Sequence, residues 1–288
     1  MQGPPEIFDR RAVRRHRDRA AAGLGSYDFL LREVADRLAD CLLDIKRDFP
    51  LALDLGCHGG QLAEVLAGRG GIGEMVQCDL SHKMVAGASG PRLVADEEAL
   101  PFANGQFDLV ASVLSLHWVN DLPGTFSQIR RALKPNGLFL CAVLGAGSLD
   151  ELRQAMLAAE IEVRGGASPR VSPFMDARDA GSLLQRAGFA LPVVDTDRIV
   201  LSYPDPFALM AELRGLGEGN AVAERSRNFT PRAVIAAAAR HYHHEHGDAD
   251  GRIPATFQTL TLTGWAPHES QQKPLPRGSG QTPLSEAL

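Results

Sequence analysis

The segment Asp54-Leu55-Gly56-Cys57-His58-Gly59-Gly60 points to the class of fold. It closes an apolar run at residues 51–55 and opens a helical segment at residues 61–67, so a glycine-rich turn joins a buried strand to a helix. Glycines at such a turn let the backbone come close to a bound ligand. A second apolar run, residues 75–80, carries Asp79 near its end, where a carboxylate can accept hydrogen bonds from both hydroxyls of a ribose. Turn and carboxylate together predict a site for a nucleoside-containing cofactor.

Further along the chain, residues 92–95 form a shorter strand followed by Asp96 and Glu97, and residues 107–113 and 138–144 are two further buried strands. Helices fall between them, notably residues 122–133, where Leu122, Phe126, Ile129 and Leu133 share a face; Lys134-Pro135-Asn136-Gly137 then predicts a stop and turn. Upstream, Leu31, Val34, Leu38, Leu42 and Ile45 recur every three or four positions, the stripe of an amphipathic helix. Past residue 144 the pattern predicts helices at 149–163, 177–187, 206–216 and 231–246, a Gly/Pro-rich loop at 165–173, and strands at 199–203 and 256–265. Alternation of strand and helix means a sheet covered on both faces. The expected class is α/β: a Rossmann-like, doubly wound, seven-stranded, mostly parallel sheet with an amino-terminal helical segment and a helical cap inserted before the last strands. Residues 1–30 form a basic amino-terminal segment, 31–145 the cofactor-binding core, 146–266 the cap and closing strands of the same domain, and 267–288 a polar tail expected to be disordered.

The composition is that of an ordinary globular chain: 288 residues, 44% hydrophobic and 23% charged, with a net charge of -5 that argues against DNA as a partner. Cys41, Cys57, Cys78 and Cys141 are isolated among apolar neighbours, as reduced buried thiols are, and predict neither a disulfide framework nor a zinc site. With no apolar stretch of bilayer length and no secretory leader, the expected compartment is the cytoplasm. Between Arg10 and Arg19 stand six arginines and one aspartate, a basic helix suited to an acidic protein, RNA or the anionic inner face of a membrane, or else a solvated face. His241, His243, His244 and His246 read as exposed histidines, and no metal is expected.

Residues 51–144, with Leu100-Pro101-Phe102 leading into Phe107-Asp108-Leu109-Val110, resemble the S-adenosylmethionine-dependent methyltransferase superfamily rather than dehydrogenases. The resemblance implies S-adenosylmethionine as cofactor. Gly56, Cys57, His58 and Gly60 of the turn would lie beside its methionine part, Asp79 on the ribose, Asp96 and Glu97 near the adenine, with Asp54, Leu80 and Val113 in the same site. One departure stands out: His58 takes the place of the middle glycine of the family turn, and its side chain is expected to point to solvent while cofactor binding persists.

The outer segments narrow the likeness. Ile7-Phe8-Asp9-Arg10-Arg11, Leu116-His117-Trp118-Val119-Asn120-Asp121-Leu122-Pro123, and Gly264-Trp265 with His268-Glu269-Ser270-Gln271 resemble the family of the mitochondrial NADH:ubiquinone oxidoreductase (complex I) assembly factor with a methyltransferase fold, and its alphaproteobacterial relatives. That resemblance implies an enzyme acting on a protein substrate, an arginine of a complex I peripheral-arm subunit, by methylation or, as in the mitochondrial relative, hydroxylation. Hydroxylation calls for an oxidant, commonly activated through iron, and the sequence offers no convincing triad of two histidines and a carboxylate. His117 as a base and Trp118 as a cation–π platform are the catalytic candidates; packing at the base of the cap is the plainer reading of both. Arg164, Gly165 and Gly166 read equally as a lid or a surface loop. The alternatives are an O-methyltransferase for a small or carrier-bound acid, as in biotin synthesis, and a non-catalytic assembly chaperone.

Overall fold

In the computed structural model, which describes residues 6–272, the strands are β1 (Phe49–Leu55), β2 (Ile72–Asp79), β3 (Arg92–Val94), β4 (Phe107–Val113), β5 (Leu133–Leu144), β6 (Ala190–Tyr203) and β7 (Ile253–Trp265). They form one seven-stranded sheet in the order β3-β2-β1-β4-β5-β7-β6. Strands β1 to β5 run parallel, whereas β7 pairs antiparallel with both β5 and β6. The sheet matches the expected class. Of the tail expected to be disordered, residues 273–288 lie outside the described residues.

Strand alternation divides the core in two. Along β5, Leu138, Leu140, Ala142 and Leu144 face one layer, and Phe139, Cys141 and Val143 the other. The first layer holds α2 (Phe29–Leu43), whose Leu31, Val34, Leu38 and Leu42 are buried, together with α6 (Asp150–Arg164), α8 (Pro206–Leu216) and α9 (Arg232–His246). The second holds α5 (Leu122–Ala132) and α7 (Ala177–Arg186). Short helices α3 (Gln61–Val65) and α4 (His82–Gly87) follow β1 and β2.

Three expectations are corrected. The turn at residues 134–137 does not precede β5 but is absorbed within it: Leu133 pairs with Phe107 and Leu138 with Leu109, so the extra residues bulge out, with Asn136 at φ 63°. Strand β6 is much longer than residues 199–203, because as an edge strand it exposes polar residues such as Asp195, Asp197 and Arg198 that conceal its period. Cys41 is exposed on α2, unlike the buried Cys57, Cys78 and Cys141.

Helix α1 (Arg10–Ala20) starts at Asp9, whose side chain accepts from the Ala12 N–H, and it is tied across the carboxyl ends of the strands. Asn120 Oδ1 accepts from the N–H groups of Ile7 and Phe8, both at 2.8 Å, and Phe8 meets the Trp118 ring edge-on at 5.3 Å. Phe8, Ala12, Val13, Trp118, Ala221 and Val222 form a small buried cluster of their own. It anchors the amino-terminal segment to the cap directly above the glycine-rich turn.

Candidate functional site

The carboxyl ends of β1, β2 and β4 converge, as parallel strands require, and bring the sequence-predicted residues together. Gly56 sits at φ 75°, and a Cβ there would collide with Ser115 Oγ, so the position admits glycine alone. The N–H groups of Gly56 and Cys57 donate to the Cys78 carbonyl at 2.8 and 2.9 Å, which locks the turn onto the end of β2. Gly60, at φ 96°, caps α3.

His58 corrects the expectation that it would face solvent. It is 2% exposed, adopts φ 49°, and turns inward, its Nε2 3.0 Å from the Val113 carbonyl, which must accept the proton that Nε2 carries. Burial, and then the nearby Arg17 cation, hold its pKa below the usual value, so the ring is neutral. Its backbone N–H donates to Asp79 Oδ2 at 3.2 Å, and the Ser81 N–H donates to Asp79 Oδ1 at 2.7 Å.

Asp79 has a third donor that the sequence did not suggest. Arg17, 1% exposed, reaches down from α1 and donates through Nη1 to Asp79 Oδ2 and Glu97 Oε1, both at 3.0 Å, and through Nη2 to Ser115 Oγ at 2.8 Å. Arg10, one heptad earlier on the same helix face, pairs with Asp96 Oδ1 at 2.6 Å and with Glu97 Oε2. Two of the six arginines therefore belong to the site, which corrects both readings of this helix, as a surface for external partners or as a solvated face, at Arg10 and Arg17. Glu97 would be pushed up by burial, but Arg10 and Arg17 bring it down to about 2. Leu80 packs against the Phe8–Trp118 cluster beside them.

Asp54 is the opposite case: fully buried, with neither carboxylate oxygen hydrogen-bonded. Burial, reinforced by Asp79, raises its pKa to about 8. An orphaned buried carboxyl beside a turn closed to any side chain suits a ligand that brings its own donor, such as an ammonium or hydroxyl. The residues thus fit a nucleoside cofactor bearing an amino acid part, on condition that Arg17 yields the Asp79 and Glu97 oxygens.

Next to this cradle, His117 and Trp118 form a buried 3-10 turn (Leu116–Trp118) after β4. Both donate to Glu218, a residue that the sequence reading missed. His117 Nε2 lies 2.9 Å from Oε2, and Trp118 Nε1 is 3.1 and 3.0 Å from the two oxygens. Glu218 is placed by the end of α8: Gly217 takes φ 87°, and the Glu218 N–H donates back to the Leu213 carbonyl at 2.8 Å. A cavity of about 240 Å³ opens beside these side chains. Arg164 and Gly166 do not line it but border a separate cleft with Glu160, and Arg170, Val171 and Ser172 take the place expected of them. At the histidine-rich end of α9, His241 pairs with Glu162 and His244 with Glu245. Among the described residues, no three or more His, Cys, Asp or Glu side chains are grouped as metal ligands would be.

Parallel sheet, glycine-rich turn and strand-end carboxylates define a protein of the Rossmann-like methyltransferase fold. Residues 53–141 match the model of a methyltransferase domain. A solved structure of a putative methyltransferase from Bacillus halodurans superposes with a TM-score of 0.55, covering 80% of this chain and 99% of that one, at 15% identity. The arginine-hydroxylase NDUFAF5 of Homo sapiens is 44% identical over 287 residues, 97% of this chain and 83% of the relative. A malonyl-[acyl-carrier protein] O-methyltransferase from Methylovorus is 32% identical, covering 93% and 92% of the two chains. The chain belongs to the family of the arginine-hydroxylase NDUFAF5. The human relative is a mitochondrial protein by name, as are those of zebrafish and mouse, and this overturns the expectation of a cytoplasmic protein at the inner face of the membrane. Among the described residues, no helix is long and apolar enough to cross a membrane.

Proposed function

We propose that the protein is an S-adenosylmethionine-dependent enzyme that modifies an arginine of a protein substrate, with hydroxylation, the activity in the relatives' name, as the reaction; the inserted oxygen comes from an external oxidant, dioxygen with a two-electron reductant, whose second oxygen leaves as water. The observation that carries the proposal is the near full-length relationship to the arginine hydroxylase, 44% identical across 97% of this chain, cap and amino-terminal segment included. The malonyl-carrier O-methyltransferases share the fold at lower identity, 32% for the Methylovorus protein.

In this reading Asp79 and Leu80 hold the ribose, Asp96 and Glu97 the adenine end, and Asp54 with the turn residues Gly56, Cys57, His58 and Gly60 the methionine part, while Val113 positions His58. When bound, S-adenosylmethionine supplies a sulfonium cation and an activated methyl group. His117 and Trp118 border the acceptor, His117 as the group able to take a proton. The substrate we propose is a peripheral-arm subunit of respiratory complex I, as the family resemblance implies, reached through the four arginines of the amino-terminal helix that the site does not bury.

Complex I subunits from cells with and without the gene, compared by mass spectrometry, test this. Loss of one oxygen from an arginine in the deletion strain is expected; loss of a methyl group would replace hydroxylation by methylation. Unchanged masses for every arginine would overturn the reading.

A further inference from the structure

The cavity beside Trp118 has an uneven chemistry. Its wall is apolar, with Leu152 and Met156 from α6, Met210 from α8, and Phe174, and its polar end is Glu218. The Glu218 carboxylate offers about four acceptor positions. Trp118 Nε1, shared between the two oxygens, and His117 Nε2 on Oε2 leave capacity free, chiefly on Oε1. Two cations also border the space. Arg170 is already engaged, since its Nε donates to the buried Glu160 at 2.8 Å and its Nη1 to Thr230 at 2.8 Å. Arg214 is exposed at the rim. Glu218 is the one carboxylate among the described residues that line the space.

A volume of about 240 Å³ is below the roughly 300–1,000 Å³ typical of pockets for whole small molecules, and suits one long side chain. An aliphatic stem against apolar walls, ending in a planar cation on a carboxylate, is the description of an arginine. We propose that this cavity seats the arginine side chain of the protein substrate, with Glu218 receiving its guanidinium and Leu152, Met156, Phe174 and Met210 enclosing its stem. The proposal rests on the reading of a protein arginine as substrate and adds the residue that selects it. Glu218 stays anionic at neutral pH: burial would raise its pKa, but His117, Trp118 and then Arg17 bring it below the ordinary carboxylate value. The influence of Arg17 also places Glu218 within electrostatic reach of the cofactor cradle. A carboxylate acceptor, such as a malonyl group, would meet like charge there.

The chain has two tryptophans, so isotope-labelled protein gives two indole N–H signals, and the one missing from Trp118→Phe reports directly on the bond to Glu218. Titration with N-acetyl-arginine amide is expected to shift that signal saturably. The citrulline analogue, equal in shape but neutral, should bind at least about tenfold more weakly. Glu218→Gln, which keeps the size and an acceptor, should abolish the preference, and Glu218→Asp should retain part of it. No shift with the arginine probe, equal binding of citrulline, or an undiminished preference in Glu218→Gln would each overturn the proposal. The two readings fail separately: arginine selectivity at Glu218 without any modified arginine in cells would sink the proposed function alone, and a modified arginine without that selectivity would sink this inference alone.

Discussion

The guanidinium of Arg17 stands 3.0 Å from Asp79 Oδ2, inside the protein and on the carboxylate proposed to hold the ribose. A side chain of the protein thus satisfies the proposed ribose acceptor. Breaking a buried ion pair leaves an uncompensated charge and costs about 3–5 kcal/mol. Arg17→Met is therefore expected to lower the urea midpoint by a corresponding amount, because Asp79 loses its cation and Glu97 is left with Arg10 alone. A midpoint within error of the native value would mean that the contact does not form in solution.

Asp54 and Glu97 contribute to the pH dependence of stability with opposite signs. Asp54 has its folded pKa raised from 3.8 to about 8, so between those values the folded state holds a proton that the unfolded state has released, and stability falls as pH rises. The cost at pH 7 is roughly 4 kcal/mol. Asp54→Asn removes this dependence, and its stability relative to the native protein should climb steadily from pH 4 to pH 8 in urea titrations. Glu97, lowered to about 2, contributes stability that is present above 4.5 and lost as pH falls towards 2; Glu97→Gln should differ most from native at neutral pH and converge with it in acid. Parallel pH profiles for native protein and Asp54→Asn would contradict the burial of an unpaired carboxyl.

His58 holds φ 49° at the position where a glycine would be unstrained, yet its ring is buried and bonded to the Val113 carbonyl. Relief of a left-handed backbone is worth about 1–2 kcal/mol and loss of the hydrogen bond costs a similar amount. His58→Gly is expected to leave stability within about 1 kcal/mol of native and to retain S-adenosylmethionine binding in calorimetry. Loss of binding in the variant would show that the imidazole itself carries the cofactor.

Much of this arrangement was legible in the sequence because it is built from short-range signals. The glycine-rich turn, Asp79 and the Asp96-Glu97 pair each follow a buried apolar run, and parallel strands bring their carboxyl ends together whatever the loops do. The parts that were not legible depend on long-range pairing. Arg17 meets Asp79 across 62 residues and Glu218 meets His117 across 101, and no local period records either. An arginine in a run of arginines reads as solvated, although the spacing of Arg10, Val13 and Arg17 already placed them on one helical face. Glu218 had a fainter signal, a lone carboxylate between Gly217 and Gly219 at a helix end. His58 was misjudged because a side chain in a tight turn usually projects outward, whereas here the end of β4 supplies an acceptor for it.

The proposed S-adenosylmethionine site is the cradle now closed by Arg17. Its most direct test is calorimetric titration of S-adenosylmethionine into the purified full chain and into Asp79→Asn, with folding of the variant checked by circular dichroism. Saturable binding of one equivalent to the native protein, reduced at least about tenfold in the variant, is the expected result. No binding to the native protein, or equal binding to both, would contradict it.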